Sequence, residues 1–482
     1  MYRGKRRQKR QDDFKHAVVV VAVFVLILAA LLAGAAAAIH KFLPKNDKAE
    51  KKPETQSTEI MEDSQTVQDQ SEAAEPVVDP LVEQAAQLVS GMSLEDKVAQ
   101  MFVITPEALT GYASVTAAGD TTKAAYENRP VGGLIYMADN LVSTEQTTEM
   151  LTNMQNIAME RTGLPVFLSV DEEGGTVVRV AKNEAFGVTD VGNMSDIGAT
   201  GDLQKAYDAG ASIGTYLKQL GFNVDYAPVA DVLTNPDNTV IGTRSFGSDA
   251  SVVADMVTKE LEGLSSQGVF GVVKHFPGHG GTSGDSHDGA VTLDKSLEEL
   301  MQTELVPFQR AVENGVSFVM VGHISVPQVV GDNTPASLSQ MMVSNVLREQ
   351  LGYQGIVITD AFDMASITDN YTPGEAALQS FMAGADIILM PSDLTQAYQA
   401  ILNAVNSKKI TQSRLDESVI RILTTKFKHG ILTQEDLTVW EQPTATPSVT
   451  PAVTVSPKAK KGKKNRESAK TIKKSTKNKS KK

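Results

Sequence analysis

The stretch Phe270-Gly271-Val272-Val273-Lys274-His275-Phe276-Pro277-Gly278-His279-Gly280 joins a short β-rich apolar run directly to a lysine and two histidines. A buried parallel strand reads as a continuous apolar run, and on a (β/α)8 barrel reactive side chains follow the C-terminal ends of such strands. Seven more runs of this kind recur about every 30 to 60 residues, at 101–104, 133–136, 166–170, 223–227, 317–321, 355–358 and 386–390. Between them apolar residues repeat with helical spacing, as in 206–220, 252–264, 297–312 and 375–382. Eight alternations of strand and helix predict one TIM-like (β/α)8 barrel over residues 81–441. A doubly wound open sheet is the structural alternative, but no Gly-x-Gly-x-x-Gly follows the first strand.

The barrel reading asks for chemistry at the strand ends. Asp171 follows the third run, Asp231 the fourth, Lys274 and His275 end the fifth, His323 ends the sixth and Asp360 the seventh. A carboxylate at the end of an apolar strand is costly unless something uses it. Asp360 is read either as a helix cap or as a nucleophile able to form an ester with an electrophilic carbon. His287 lies two residues after Asp285, beyond the loop Gly280-Gly281-Thr282-Ser283-Gly284. An aspartate on one imidazole nitrogen fixes the tautomer and leaves the other nitrogen to move protons; in an arbitrary loop the same spacing is a surface coincidence. Arg244, with Lys274, His275 and Asp171, offers donors and acceptors for a ligand with several hydroxyls, such as a sugar. Taken singly, each also fits a rim salt bridge. A metal site built from His275, His279, His287 and His323 with Asp285 and Asp360 is disfavoured by the neighbouring Lys274 and by the lack of His-x-His on the first strand. Neither a metal nor another cofactor is expected.

Several separate motifs in this order resemble glycoside hydrolase family 3, in its β-N-acetylhexosaminidase branch of the peptidoglycan-recycling type. The resemblance runs over about residues 88–432. It is carried by Val170-Asp171-Glu172-Glu173-Gly174-Gly175 with Val178-Arg179, Ala227-Pro228-Val229-Ala230-Asp231-Val232, residues 241–247 and 274–280, Asp285-Ser286-His287, Pro335-Ala336-Ser337-Leu338-Ser339 and residues 355–364. It implies that Asp360 is the nucleophile, that His287 is the acid/base assisted by Asp285, and that Asp171, Arg244, Lys274 and His275 grip the nonreducing sugar. The implied reaction is retaining and exo-acting, releasing terminal β-GlcNAc from peptidoglycan-derived fragments or muropeptides through a glycosyl-aspartate. A histidine in this role departs from the general two-carboxylate scheme. The family's β-glucosidases take a carboxylate from a further domain, whereas after about Glu441 this sequence turns to linker and basic tail, leaving His287 as the one candidate. Three alternatives stay open: another β-glycoside as substrate, phosphate as acceptor, and a catalytically silent wall-binding protein.

Around the barrel the 482-residue sequence has no cysteine, which excludes disulfides and thiolate chemistry. Residues 17–39 are an uninterrupted apolar run long enough to span a membrane, and residues 1–16 before it carry about +5. The positive-inside rule then places the n-region in the cytoplasm and the barrel outside, at the cell membrane; the alternative is a long signal peptide cleaved near Ala35, giving a secreted protein. Residues 40–80 read as a disordered acidic and polar linker, and 442–482 as a Pro/Thr linker and basic disordered tail. The last 25 residues carry about +12 and the net charge is −13, so roughly −30 falls on the part between the basic ends. That acidity argues against a nucleic-acid partner, while the tail suits anionic envelope polymers or lipid headgroups.

Overall fold

In the computed structural model, which describes residues 79–439 except Asp288, the eight apolar runs form eight parallel strands. They are β1 (Phe102–Ile104), β2 (Gly133–Ile135), β3 (Phe167–Val170), β4 (Val224–Asp225), β5 (Phe270–Phe276), β6 (Phe318–Val321), β7 (Ile356–Thr359) and β8 (Ile388–Leu389). Each pairs in parallel with its sequence neighbour from β1 to β7, and β8 pairs with β1. A bridge between Ile358 and Ile387 brings β7 beside the start of β8 and nearly closes the ring. A closed sheet leaves no edge unpaired. All eight strands are buried throughout, which is why they read as unbroken apolar runs rather than as alternating ones. The expected anchor at 17–39, the n-region and the tail lie outside the described residues. Among the described residues no helix is long and apolar enough to cross a membrane.

Helices begin where a side chain can satisfy the orphan N–H groups of the first turn. Asp202 and Asp249 do this for Leu203–Leu220 and Ala250–Ser266, and Thr372 with Glu375 forms a reciprocal cap on Pro373–Ala383. One expectation needs correction: 297–312 is not a single helix but two, Leu297–Gln302 and Val306–Glu313. Pro307 brings no N–H to continue the first helix. Glu304 at the break is fully buried and pairs with Lys295. The helical spacing runs on because both pieces bury the same face, through Leu300 and then Phe308 and Ala311.

The strand starts and strand ends carry different residues. At the starts, Phe167, Phe270 and Phe318 meet edge to face with ring centroids 5.3–6.1 Å apart. Helix Gln412–Lys428 lies against this end, with Lys426 Nζ 4.9 Å from the centre of the Phe167 ring. The other end carries the polar residues described next.

Candidate active site

Beyond β3 the chain runs Asp171-Glu172-Glu173-Gly174-Gly175. Both glycines are left-handed, with φ +89° and +59°, and a Cβ on Gly175 would stand 2.5 Å from Asn193 Oδ1. The turn sends the two glutamates to different places. Glu172 is buried and accepts from the backbone N–H groups of Arg179, Val180 and Ala181 and from the Tyr216 hydroxyl, which fixes the loop. Glu173 bridges Arg244 (Nε at 2.7 Å, Nη2 at 2.8 Å) and Lys274 (2.6 Å). Lys274 also reaches Asp171 at 2.9 Å, and Arg179 stands 3.6 Å from the other oxygen of Asp171. Burial alone would raise the Glu173 carboxyl, but the charges of Arg244 and Lys274 hold it far below the usual range. The same balance reverses the burial effect on Lys274, whose pKa stands above that of an ordinary lysine because of Asp171 and Glu173.

Strand β5 runs three residues past the expected Val273, and its pairing with β6 slips between Val273 and Phe276. On a regular strand Lys274 and His275 would face opposite sides; the bulge breaks that alternation and both line the same cavity. His275 Nδ1 lies 2.7 Å from Asp231 Oδ2. Because a carboxylate only accepts, Nδ1 donates there, and Nε2 is left facing Arg244 Nη2 at 3.4 Å. Asp231 is fully buried and also accepts from the backbone N–H groups of His275 and His279. Burial would raise it, yet the His275 ring keeps it below the ordinary carboxylate value.

Asp360 closes β7. Its N–H donates to Val321 O and its Oδ1 accepts from the N–H of Ala361. Burial opposes its ionisation, but His323 and His275 lead the groups that lower its pKa, so it is a carboxylate at neutral pH. His323 itself is buried between Ser337 and the Ala361 carbonyl, to which its Nε2 donates at 2.9 Å. Asp171, Arg244, Lys274, His275, His287 and Asp360 all line one cavity of about 290 Å³ at the C-terminal ends of the strands. Asp285 accepts from both the backbone N–H (2.9 Å) and Nδ1 (2.8 Å) of His287. The His287 side chain is 67 % exposed, so its Nε2 is free to meet a ligand from the rim. His279 supports this loop from below, with Nδ1 2.7 Å from Thr282 Oγ1 and Nε2 3.4 Å from Ser286 Oγ. Met390, just beyond β8, lines the cavity with φ 45°, a sparsely populated conformation for a residue with a side chain.

All seven residues singled out as site candidates therefore meet at one place. Sequence reasoning missed the role of Glu173 as the bridge between Arg244 and Lys274, that of Asp231 as the partner of His275, and the cavity positions of Arg179, His279 and Asp363. The available signal was the pair Glu172-Glu173 after a buried strand, since two consecutive carboxylates there need separate partners. Among the described residues no three His, Asp or Glu side chains converge as metal ligands.

The pattern of the glycosyl hydrolase family 3 N-terminal domain matches residues 93–425, and the chain belongs to that family. Similar proteins include the β-hexosaminidase LpqI of Mycobacterium tuberculosis, 36 % identical over 366 residues, which are 73 % of this chain and 88 % of the relative. β-Hexosaminidase A of Pseudoalteromonas piscicida is 36 % identical over 62 % of this chain; the chain spans 53 % of that relative's length. Among solved structures, a family 3 β-N-acetylglucosaminidase of Paenibacillus sp. str. FPU-7 superposes with a TM-score of 0.66 at 38 % identity, covering 70 % of this chain and 63 % of the other.

Proposed function

We propose that the protein is a retaining, exo-acting β-N-acetylglucosaminidase. The observation that carries the reading is the meeting, in one cavity, of an ionised Asp360 with a His287 whose Nδ1 is already held by Asp285. His287 Nε2 gives its proton to the glycosidic oxygen while Asp360 attacks the anomeric carbon, and Asp285 stabilises the charged imidazole. In the second half, His287 takes a proton from the attacking water and Asp360 leaves. Lys274, Arg244, Asp171 and His275 fix the sugar hydroxyls and the acetamido group, and their mutual pairing means they need no rearrangement to do so. A cavity of about 290 Å³ suits a single terminal sugar better than a run of them, which supports exo action.

The substrates we infer are β-GlcNAc-terminated fragments of peptidoglycan, met outside the cytoplasmic membrane, where the apolar run 17–39 would hold the barrel. The basic tail would add electrostatic adhesion to anionic envelope polymers. Release of chromophore from aryl β-GlcNAc and aryl β-glucoside by the full-length protein tests the activity, with Asp360→Asn as control. The expected result is turnover of the GlcNAc substrate alone, falling by on the order of 10⁴-fold in the control. Equal turnover of both substrates would point to a different β-glycoside, and silence on both would sink the reading.

A further inference from the structure

The charges around the cavity are not evenly spread. On the β3 to β5 side every cation has a carboxylate partner: Arg179 on Asp171, Arg244 on Glu173, and Lys274 on both. The β7 side holds Asp360 and, three residues on, Asp363, which is exposed and lines the same cavity. The loop carrying Asp285 and His287 lies beside this segment, with the Ser366 N–H donating to the Ser286 carbonyl at 3.3 Å. Among the described residues no basic side chain pairs with Asp363, and its carboxyl is raised above the ordinary value first by partial desolvation and then by the charge of Asp360, while His287 offsets this. Asp363 is thus within electrostatic reach of both the nucleophile and the acid/base, with no countercharge of its own. Once Asp360 carries the sugar as an ester, the carboxylates of Asp363 and Asp285 are left with the His287 imidazole at the mouth of the cavity, where an acceptor must approach.

We propose that Asp363 selects the acceptor, admitting water and repelling inorganic phosphate and other anions from the glycosyl ester. The inference rests on the glycosidase reading above and concerns its second half. In hydrolysis the water oxygen bonds to the anomeric carbon, the bond from that carbon to Asp360 breaks with its electron pair returning to the carboxylate, and the water proton passes to His287 Nε2. Phosphate would instead bond through one of its oxygens, displace Asp360 in the same way and leave as the sugar phosphate. A phosphate dianion needs no base, so nothing in the proton inventory favours water. The discrimination has to be electrostatic, and among the described residues Asp363 is the carboxylate of that segment with no ion-pair partner beyond the reach of His287.

The test is product partition. Full-length protein turns over aryl β-GlcNAc in phosphate and in sulfate of matched ionic strength, and free sugar and sugar 1-phosphate are quantified. The expected result is free GlcNAc as the product in both buffers, with no acceleration by phosphate. Asp363→Asn and Asp363→Lys should each raise the share of sugar phosphate, by roughly tenfold for Asn, the factor that about 1.4 kcal/mol of relieved repulsion gives, and by more for Lys. Sugar phosphate as the main wild-type product, or variants that partition as the wild type does, overturns the proposal while leaving the glycosidase reading intact. No turnover of aryl β-GlcNAc in either buffer overturns that reading and this one with it.

Discussion

The two ends of the barrel both bury charge, and they treat it in opposite ways. At the strand ends, Glu173, Lys274, Arg244 and Asp171 pair with one another around a cavity, so each is compensated yet keeps a face open to a ligand. At the strand starts, Asp386 is sealed: Arg348 at 2.6 Å, Arg421 at 3.1 Å and Arg414 at 3.9 Å surround it, while Ser418 Oγ and the Val357 N–H donate to it. Burial would raise its pKa, but the three guanidiniums more than offset that and hold it below the ordinary value. Nearby, among the described residues Lys426 meets the Gln100 amide oxygen at 3.1 Å, the Gly132 carbonyl at 3.5 Å and the Phe167 ring but no carboxylate, and burial pushes its pKa down to about 7. Pairs that line a cavity leave polar atoms within reach of a ligand, whereas the charge on Asp386 is saturated by its own neighbours.

The contrast breaks if changes at one end behave like changes at the other. The largest effect is expected from His287→Ala, roughly 10²- to 10⁴-fold slower turnover of a substrate with a poor leaving group. Its urea midpoint should not move, because the side chain is largely exposed. Asp386→Ala should do the reverse, costing about 3–5 kcal/mol in urea unfolding by leaving three clustered, partly buried guanidiniums without their shared countercharge, with KM unchanged in the molecules that stay folded. A shifted KM would mean that the two ends are coupled.

Lys426→Met sharpens the comparison on a smaller scale. The folded pKa of about 7 lies below the ordinary 10.5, so between these values the unfolded chain binds the extra proton and stability rises with pH. The variant should lose that slope and gain on the order of 1–3 kcal/mol at pH 7; a parental slope that persists in the variant would assign it to another group. Glu260 is the counterpart beneath the site, fully buried with both carboxyl oxygens unpaired and its pKa raised from 4.5 to about 8, chiefly by burial and then by Glu173. Here the folded state holds the extra proton, so stability should fall as pH rises from about 4.5 to about 8. Glu260→Gln should flatten that fall, which linkage puts at roughly 4 kcal/mol by pH 8. A variant midpoint that tracks the parent across this window would show that Glu260 is not the group responsible.

Much of this arrangement was legible beforehand because it is periodic or local. Eight apolar runs with helical spacing between them are a one-dimensional pattern, and burial on both faces of a parallel strand is what writes it. The placing of Asp171, Lys274, His275 and Asp360 at strand ends follows from the same pattern, and the Asp285–His287 contact spans only two residues. What spacing could not supply was pairing across the barrel mouth. Glu173 reaches Arg244 over 71 residues and Lys274 holds Asp171 over 103, separations set by how the strands curl into a ring. Whether Lys274 and His275 share a face depended on a slip in the β5 to β6 register, and the break at Thr303 was hidden because both halves of that helical stretch bury the same side. The sequence by itself therefore determined the barrel and which side chains stand at the C-terminal ends of its strands, since periodicity and strand termini are properties of the chain alone. Which charge neutralises which, and hence which carboxylates remain free to act, was decided only by the tertiary structure, because electrostatic pairing depends on distance in space and not on distance along the chain.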